Sequence, residues 1–237
     1  MFSKSARYYD EIYASVDKNY AAEASKARKI IQKYKQSPGK ALLDVACGTG
    51  AHAEYLSSYY DVEGMDLDSK MLAIARKKHP KIRFRRGDMT SFDLSHSFDV
   101  IVCLFSSIGY VKTKSRLQKA VKAMNQHLLP GGLLLIEPWF TPEQWRLGGV
   151  FTTHVDKPEL RIVRMSHSGQ RGKISLLEFQ YLIGTPKGIE HYAELHEMGL
   201  FTHKEYMDAF KAAKLTVTFD SKGLDGRGLY IGRKSMK

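Results

Sequence analysis

The chain has 237 residues, with 37 Lys+Arg against 25 Asp+Glu (net charge +12), 43% hydrophobic residues and two cysteines. That apolar content excludes disorder, and the length suits one large domain with a well-buried core. Two cysteines exclude a disulfide framework and a four-cysteine zinc site, no apolar run reaches the roughly 18 residues of a membrane span, and Met1 to Asp10 is too polar for a signal peptide; a soluble cytoplasmic protein is expected.

Ala21 to Tyr34 reads as a helix that must pack on a sheet or cover its open edge. Five short apolar runs follow, Ala41 to Cys47, Val62 to Leu67, Ile82 to Arg86, Phe98 to Phe105 and Gly132 to Glu137, each bounded by turn chemistry as strands are. Between them, Ser69 or Asp68 can cap a helix carrying Met71, Leu72 and Ala75 and stopping before Pro80. Ser115 can cap another with Leu117, Val121, Met124 and Leu128 along one face. Strands alternating with helices predict a parallel sheet.

After Glu137 the pattern changes to runs that read as antiparallel strands: Phe151 to Val155, Leu160 to Ser166, Ile174 to Ile183 and Ile189 to Gly199. A helix over Thr202 to Ala213 then leads to two last strands, Leu215 to Phe219 and Gly228 to Gly232. The expected organisation is a single domain over 1–237. A helical cover takes 1–35, a cofactor-binding core 36–137, an antiparallel substrate platform 138–200, and the C-terminal helix with the last strands 201–237.

Gly48-Thr49-Gly50-Ala51-His52-Ala53 fits the G-x-G-x-x-A dinucleotide fingerprint, and Asp66 stands where a ribose-binding acid is expected, so a nicotinamide cofactor is allowed. The charge of the ligand separates the readings. A pyrophosphate wants backbone N–H groups at a helix start, whereas a ligand with a free ammonium and a sulfonium wants carboxylates. Asp44 lies inside the first strand, four residues before Gly48, and Asp88 in Gly87-Asp88-Met89 ends the third. Three acids at the ends of successive strands favour S-adenosylmethionine. Met89 and Leu67 are placed to pack on its adenine, although plain core packing explains them equally well.

Asp44-Val45-Ala46-Cys47-Gly48-Thr49-Gly50, Asp66, Gly87-Asp88-Met89 and Leu129-Pro130-Gly131-Gly132 resemble the successive motifs of class I S-adenosylmethionine-dependent methyltransferases, with Ala46 where that family usually has Gly. The resemblance implies a Rossmann-like α/β fold: a seven-stranded sheet whose last strand, Gly228 to Gly232, inserts antiparallel, here with the antiparallel β platform inserted. Tyr9-Asp10, Tyr13, Tyr20 to Ser25, Phe105 to Tyr110, Glu137-Pro138-Trp139, Ser166-His167-Ser168 and Gly226-Arg227-Gly228-Leu229 are similar to a narrower group, the N,N-dimethyltransferases of nucleotide-linked (dTDP) 3-amino-deoxysugars of the desosamine and mycaminose type. The match runs from about Tyr9 to Gly232. Several members of that group carry His where this chain has Tyr110, and its Lys-rich composition is unlike that of actinomycete pathway enzymes.

The cofactor-binding candidates are Tyr20, Asp44, Ala46, Gly48, Gly50, Asp66, Leu67, Asp88, Met89 and Leu104. Methyl transfer to an amine is an in-line displacement that depends on alignment, so neither a metal nor a covalent nucleophile is expected. Tyr13 and Tyr110 are the candidates for holding the amine, and packing tyrosines with hydroxyls at the surface are the alternative. For the substrate, Tyr9, Ser107, Arg164, His167, Ser168 and Arg227 are the candidates. Arginine forks suit the phosphates of a nucleoside diphosphate. Strand alternation puts Arg161 and His167 on one face of their strand and Arg164 and Ser168 on the other; the second set is favoured, with His167 kept for the resemblance.

The expected partner is a small molecule, a nucleotide-linked amino sugar whose amino group is methylated. Methylation of another small amine or of RNA is the alternative activity, a cofactor-binding regulator is a third reading, and a homodimer is left open. Nucleic acid and membrane are unfavoured, because Lys112, Lys114, Arg116, Lys119 and Lys122 lie just before or on the non-apolar faces of a helix, where solvation explains them.

Overall fold

The computed structural model describes residues 4–236. Two short N-terminal helices, α1 (Tyr9–Ala14) and α2 (Tyr20–Tyr34), precede an alternation of β1 (Ala41–Val45), α3 (Ala51–Leu56), β2 (Asp61–Asp66), α4 (Ser69–Lys78), β3 (Arg83–Arg86), β4 (Phe98–Cys103), α5 (Lys114–Gln126) and β5 (Leu128–Ile136). Four long strands follow, β6 (Val150–Lys157), β7 (Leu160–Arg171), β8 (Ile174–Thr185) and β9 (Gly188–Gly199). Then come α6 (His203–Ala212), β10 (Leu215–Asp220) and β11 (Leu229–Lys234).

The first sheet has seven strands in the order β10-β11-β5-β4-β1-β2-β3, parallel except for β11, which runs antiparallel to both of its neighbours. This is the class I methyltransferase fold. Strands β1 and β4 are buried apart from the half-buried Ala41, and apolar apart from Asp44 and Asp99, as expected where helices cover both faces of a parallel sheet. On one face, Ala24, Ala27 and Ile31 of α2 join Leu42, Val100, Leu133 and Leu135, with α3 and α4 beside them. On the other, Leu117, Val121 and Met124 of α5 and Tyr206 and Phe210 of α6 meet Leu43, Ile101, Leu134 and Tyr230. Helix α2 thus covers the middle of the sheet, not its edge. The chain reverses its direction of travel across the sheet between β1 and β4, and ligands of such sheets bind beyond the strand ends at that point.

The second sheet is an antiparallel meander, β6-β7-β8-β9. Its inner face carries Ile162, Phe179, Tyr181 and Ile183, which close over Tyr8 and Ile12 of the N-terminal segment.

Local differences from the sequence reading have simple causes. Thr113, not Ser115, caps α5: its hydroxyl accepts the Arg116 N–H, and the helix starts at Lys114. That helix ends at Gln126, so Leu128 belongs to β5. Asp68 rather than Ser69 caps α4 by accepting the N–H groups of Lys70 and Met71. Helices α1 and α3, each of six residues, are too short to show a period.

Candidate active site

The loop after β1 turns sharply. Ala46, Gly48 and Gly50 all have positive φ (59°, 56° and 82°). Glycine adopts this region freely, whereas an L-residue pays roughly 1 kcal/mol, so Ala46 holds a strained position that a glycine would relieve. Gly50 is the N-cap of α3, and a Cβ there would meet His79 and Phe84. Its contribution is to the turn, and it lines none of the cavities described below. A Cβ on Gly48 would meet nothing within 4 Å, because that side of the loop faces open space.

A cavity of about 350 Å³ lies beyond the ends of β1, β2 and β3, within the size range of small-ligand sites. Ala46, Gly48, Asp66, Leu67, Asp88 and Met89 line it, with Tyr9, Ser107 and Tyr110 on the opposite wall. Leu67 is exposed and Met89 half-buried. A narrow space of about 30 Å³ shares Tyr9, Ala46, Gly48 and Ser107 with it and is lined further by Tyr20, Asp44 and Leu104. Twelve of the candidate residues thus meet around adjoining spaces.

Asp66 accepts the N–H groups of Gly48 and Asp68 at 2.8 Å each, yet burial still lifts its carboxyl above the ordinary range. Asp44 is 2% exposed, and its Oδ2 has no hydrogen-bond partner. Burial, with the Asp66 charge beside it, pushes its carboxyl up to about 8. Asp88 behaves in the opposite way: burial is outweighed by the bonds from Thr90 and Arg116, so it stays ionised below the usual range.

An orphaned, buried carboxylate oxygen is what a cationic ligand would complete, and a pyrophosphate would be repelled there. The residues around these two spaces therefore fit S-adenosylmethionine: Asp44 for its ammonium, Asp66 for its ribose hydroxyls and Asp88 with Met89 for its adenine.

On the far side of Tyr13 and Phe105 lies another cavity, of about 410 Å³, lined by Lys18, Glu23, Lys26, Asp225 and Arg227. The Arg227 guanidinium donates to Ser106 Oγ at 3.0 Å and lies over the rings of Phe105, Trp139 and Phe140 at 5.6–5.7 Å. Tyr13 packs edge-on against Phe105 and 4.6 Å from Tyr9, so it sits between the cavities.

The methyltransferase domain family matches residues 42–132. The dTDP-3-amino-3,6-dideoxy-alpha-D-glucopyranose N,N-dimethyltransferase of Streptomyces fradiae is 39% identical over 98% of this chain and 91% of its own length. The dTDP-3-amino-3,4,6-trideoxy-alpha-D-glucopyranose N,N-dimethyltransferase of Streptomyces venezuelae is 38% identical over 96% of each. Among solved structures, Streptomyces venezuelae DesVI superposes with a TM-score of 0.92 at 37% identity, over 98% of this chain and 99% of that one. CalS10 with bound S-adenosylmethionine, an amino pentose methyltransferase from Micromonospora echinaspora, does so with 0.87 at 35% identity over 96% of each. The chain belongs to the dTDP-amino-sugar N,N-dimethyltransferase family. It is an S-adenosylmethionine-dependent methyltransferase.

Within this family framework, not every residue of the sequence reading reaches the cavities. His167 is a correction: along β7 Arg164, Ser166 and Ser168 point inward, so His167, with Arg161, Val163 and Met165, is turned to solvent on the outer face. Ser168 faces inward but is already engaged, accepting from Gly149 N–H at 2.8 Å and donating to the Arg146 carbonyl at 2.9 Å. It fastens the segment before β6 and lines none of the cavities above. Arg164 is half-buried; it reaches Tyr13 and Phe179 through their ring faces (5.3 and 5.1 Å) and donates to Thr153 Oγ1. It supports Tyr13 from behind.

Other site residues are not among the sequence candidates: Lys18 and Asp225 lie outside every motif, and Glu23 and Glu137 stand in segments that carry the resemblance without a role of their own. Lys18 is nearly buried, pairs with Glu23 and with Asp225 at 3.3 Å, and lies 4.1 Å from the centre of the Phe105 ring. Glu23 also accepts from His52 at 2.8 Å; with burial outweighed by its bonds to His52 and Lys18, it stays below the usual range. Glu137 accepts the Phe105 N–H at 2.5 Å, and burial beside Asp225 holds its carboxyl well above the usual range. These groups come from the loop between α1 and α2, from α2 itself, from the residue after β5 and from the loop before β11, and nothing in their spacing announces that they converge. Asp10, likewise in a segment that carries the resemblance, accepts from Thr49 Oγ1 at 2.6 Å and ties α1 to the glycine loop.

Proposed function

We propose that this enzyme methylates the amino group of a nucleotide-diphosphate-linked amino deoxysugar, once or twice, with S-adenosylmethionine as donor. The observation that carries the reading is a division of charge across one tyrosine-lined junction. Asp44, Asp66 and Asp88 stand on one side of it; on the other, Lys18 is paired with Glu23 and Asp225, and Arg227, with Lys26, supplies the cations for an anionic group. The first set suits a cationic cofactor and the second a diphosphate. Three relatives at 35–39% identity over nearly the whole chain are named dTDP-amino-sugar N,N-dimethyltransferases, which supports the same substrate class.

When bound, S-adenosylmethionine supplies an electrophilic methyl group that a neutral amine displaces in line from sulfur. This chain's contribution is alignment. The buried Asp44 and the Asp66-clamped loop fix the donor side, while Arg227 on its aromatic bed anchors the acceptor's diphosphate. Tyr9, Tyr13 and Tyr110 form the wall along which the amine is held. The four-stranded sheet, by packing Phe179 and Tyr181 over α1 and by carrying Arg164, keeps that wall in place.

The test is direct. Purified protein, S-adenosylmethionine and a panel of dTDP-linked 3-amino and 4-amino sugars are incubated and followed by mass spectrometry, with products carrying one and two added methyl groups expected. Absence of turnover across the panel, with the cofactor shown to bind, sinks the reading.

We further propose a homodimer formed through the outer face of the four-stranded sheet, where Val163, Met165 and Leu182 are 37–50% exposed on neighbouring strands. Light scattering on wild type and Met165→Glu decides this, since a dimer of unchanged mass in the variant removes it. No described helix is long and apolar enough to cross a membrane, and both cysteines are unpaired, which supports the reducing cytoplasm as the compartment. The positive charge calls for no nucleic-acid partner; any RNA binding should vanish by about 0.2 M salt.

A further inference from the structure

An amine meets its methyl donor as a nucleophile only after losing the proton it carries near pH 7, and the carboxylates on the wall of the large cavity are already engaged: Asp66 with the glycine turn, Asp68 with the start of α4, Asp88 with Thr90 and Arg116, and Glu197 with Lys112 and Arg171. Tyr110, on the turn after β4, lines that cavity. Burial pushes its phenol well above the ordinary range, so it stays protonated and cannot act as a phenolate. Behind it, however, its hydroxyl meets His196 Nδ1 at 2.7 Å. His196, on β9, is 1% exposed and packs edge-on against Phe179 at 5.0 Å. Its Nε2 lies 3.8 Å from Glu194 Oε2. Glu194 is itself buried and accepts from Ser5 Oγ at 2.6 Å and from the N–H groups of Lys4 and Ser5.

We propose that His196 is the proton acceptor of the reaction, reached through the hydroxyl of Tyr110 and oriented by Glu194. The assignment rests on the substrate being an amine. Glu194, facing Nε2, selects the neutral tautomer protonated at Nε2 and leaves Nδ1 bare to accept the Tyr110 O–H. The phenolic oxygen then presents a lone pair to the cavity. The substrate ammonium gives its proton to the Tyr110 oxygen as the Tyr110 proton passes to His196 Nδ1. The products are a neutral amine, an unchanged tyrosine and an imidazolium held between Tyr110 and the Glu194 carboxylate. Net charge is conserved, and the proton leaves by the same route when the methylated product has gone.

The surroundings suit this role. Burial lowers the imidazole below its usual range, so it is neutral at pH 7 though a weaker base for it; the facing Glu194 carboxylate works against that shift and favours the imidazolium once formed, while Arg164 on β7 adds to the shift. Glu194, with burial outweighed by the imidazole of His196 facing it and by the bonds from Ser5 and Lys4, is held ionised down to about 2. Tyr181 on β8 is the further titratable group that packs here, and it too stays protonated. Tyr110 is thereby a catalytic residue, while His196 and Glu194 act through it.

His196→Gln keeps an acceptor for the Tyr110 hydroxyl but cannot take a proton. At pH 7 its kcat should fall roughly 30- to 100-fold. Its deficit should then close as pH rises, with wild type and variant converging above about pH 9, where the amine loses its proton unaided. Tyr110→Phe should show the same convergence. Affinity for S-adenosylmethionine should be unchanged in both, showing that the site is folded. A variant profile running parallel to wild type at every pH overturns the relay and leaves a structural role for His196. A second readout needs no turnover: ¹⁵N NMR of the wild-type protein at pH 7 should find His196 protonated at Nε2 and bare at Nδ1, and a proton on Nδ1 overturns the assignment. If wild type methylates none of the amino sugars, the substrate reading itself fails and this proposal falls with it, an outcome distinct from parallel profiles.

Discussion

Asp66 accepts the backbone N–H of Gly48 at 2.8 Å, joining the end of β2 to the glycine turn after β1 with the same carboxylate that faces the large cavity. One group therefore shapes the loop and lines the site. Asp66→Ala should raise the Kd for S-adenosylmethionine at least tenfold, as expected for losing hydrogen bonds to a charged acceptor. Arg227→Ala should leave that Kd within about twofold and raise the KM for the nucleotide sugar tenfold or more, since it removes a fork toward phosphate. Calorimetry for the cofactor and steady-state kinetics for the acceptor separate the two; equal effects on both ligands would undo this division of the cavities.

Asp44 gives a pH-dependent expectation. Its carboxyl is pushed up to about 8 in the folded chain, by burial first and by Asp66 second, while the unfolded chain has an ordinary carboxylate. Between those two values the folded state holds the extra proton, so stability falls as pH rises through that interval. Asp44→Asn removes this dependence: it should melt a few degrees above wild type at pH 8 and together with it near pH 4. The same variant should bind S-adenosylmethionine at least tenfold more weakly. In wild type at pH 7, cofactor binding should release close to one proton, measurable by calorimetry in two buffers of different ionisation enthalpy. Binding without proton release would show that Asp44 does not face the ammonium.

Much of this arrangement was legible in the sequence because it is carried by local patterns. The glycine turn, the acids ending β1, β2 and β3, and the change from alternating helices to antiparallel runs after Glu137 each leave a signature within a few residues. Period-2 alternation also separated Arg164 from His167 correctly, and only the resemblance kept His167 among the candidates. What was not legible is convergence of distant segments. Glu194 and His196 look like two polar residues on an amphipathic strand, and Ser5 and Tyr110 lie far away in sequence, yet together they make one buried chain of hydrogen bonds. Lys18, Glu137 and Asp225 are the same case. Local context also decides strain: Ala46 looks like a mild replacement of glycine, and its φ of 59° shows that it is not free of cost.

Ala46→Gly follows from that strain. With the turn geometry unchanged, relieving an L-residue in the left-handed region should stabilise the folded chain by up to roughly 1 kcal/mol, less the greater freedom glycine has when unfolded. Thermal melts should therefore show a small rise, of no more than about 4 °C for a chain of this length, with affinity for S-adenosylmethionine held or improved. A fall in Tm would mean that the Ala46 methyl packs usefully enough to outweigh its backbone cost.

Glu137 supplies the last expectation. Phe105 and Ser106 both have positive φ (51° and 58°), and two contacts hold that turn: Glu137 accepts the Phe105 N–H, and Ser106 Oγ donates to the Pro138 carbonyl. The turn presents Phe105 to Tyr13 and Lys18, and Ser106 to Arg227. Burial and the neighbouring Asp225 keep the Glu137 carboxyl well above the usual range, so its ionisation with rising pH costs stability in the folded state. Glu137→Gln keeps an acceptor for the Phe105 N–H and removes the charge; it should match wild type near pH 5 and melt a few degrees higher at pH 8.5. Glu137→Ala leaves that N–H unpaired and the turn unsupported, which should cost roughly 2–3 kcal/mol at either pH and raise the KM for the nucleotide sugar through Ser106 and Arg227. Melting curves at the two pH values decide between a carboxyl that braces the turn and one that is merely buried, because only the first makes alanine far worse than glutamine.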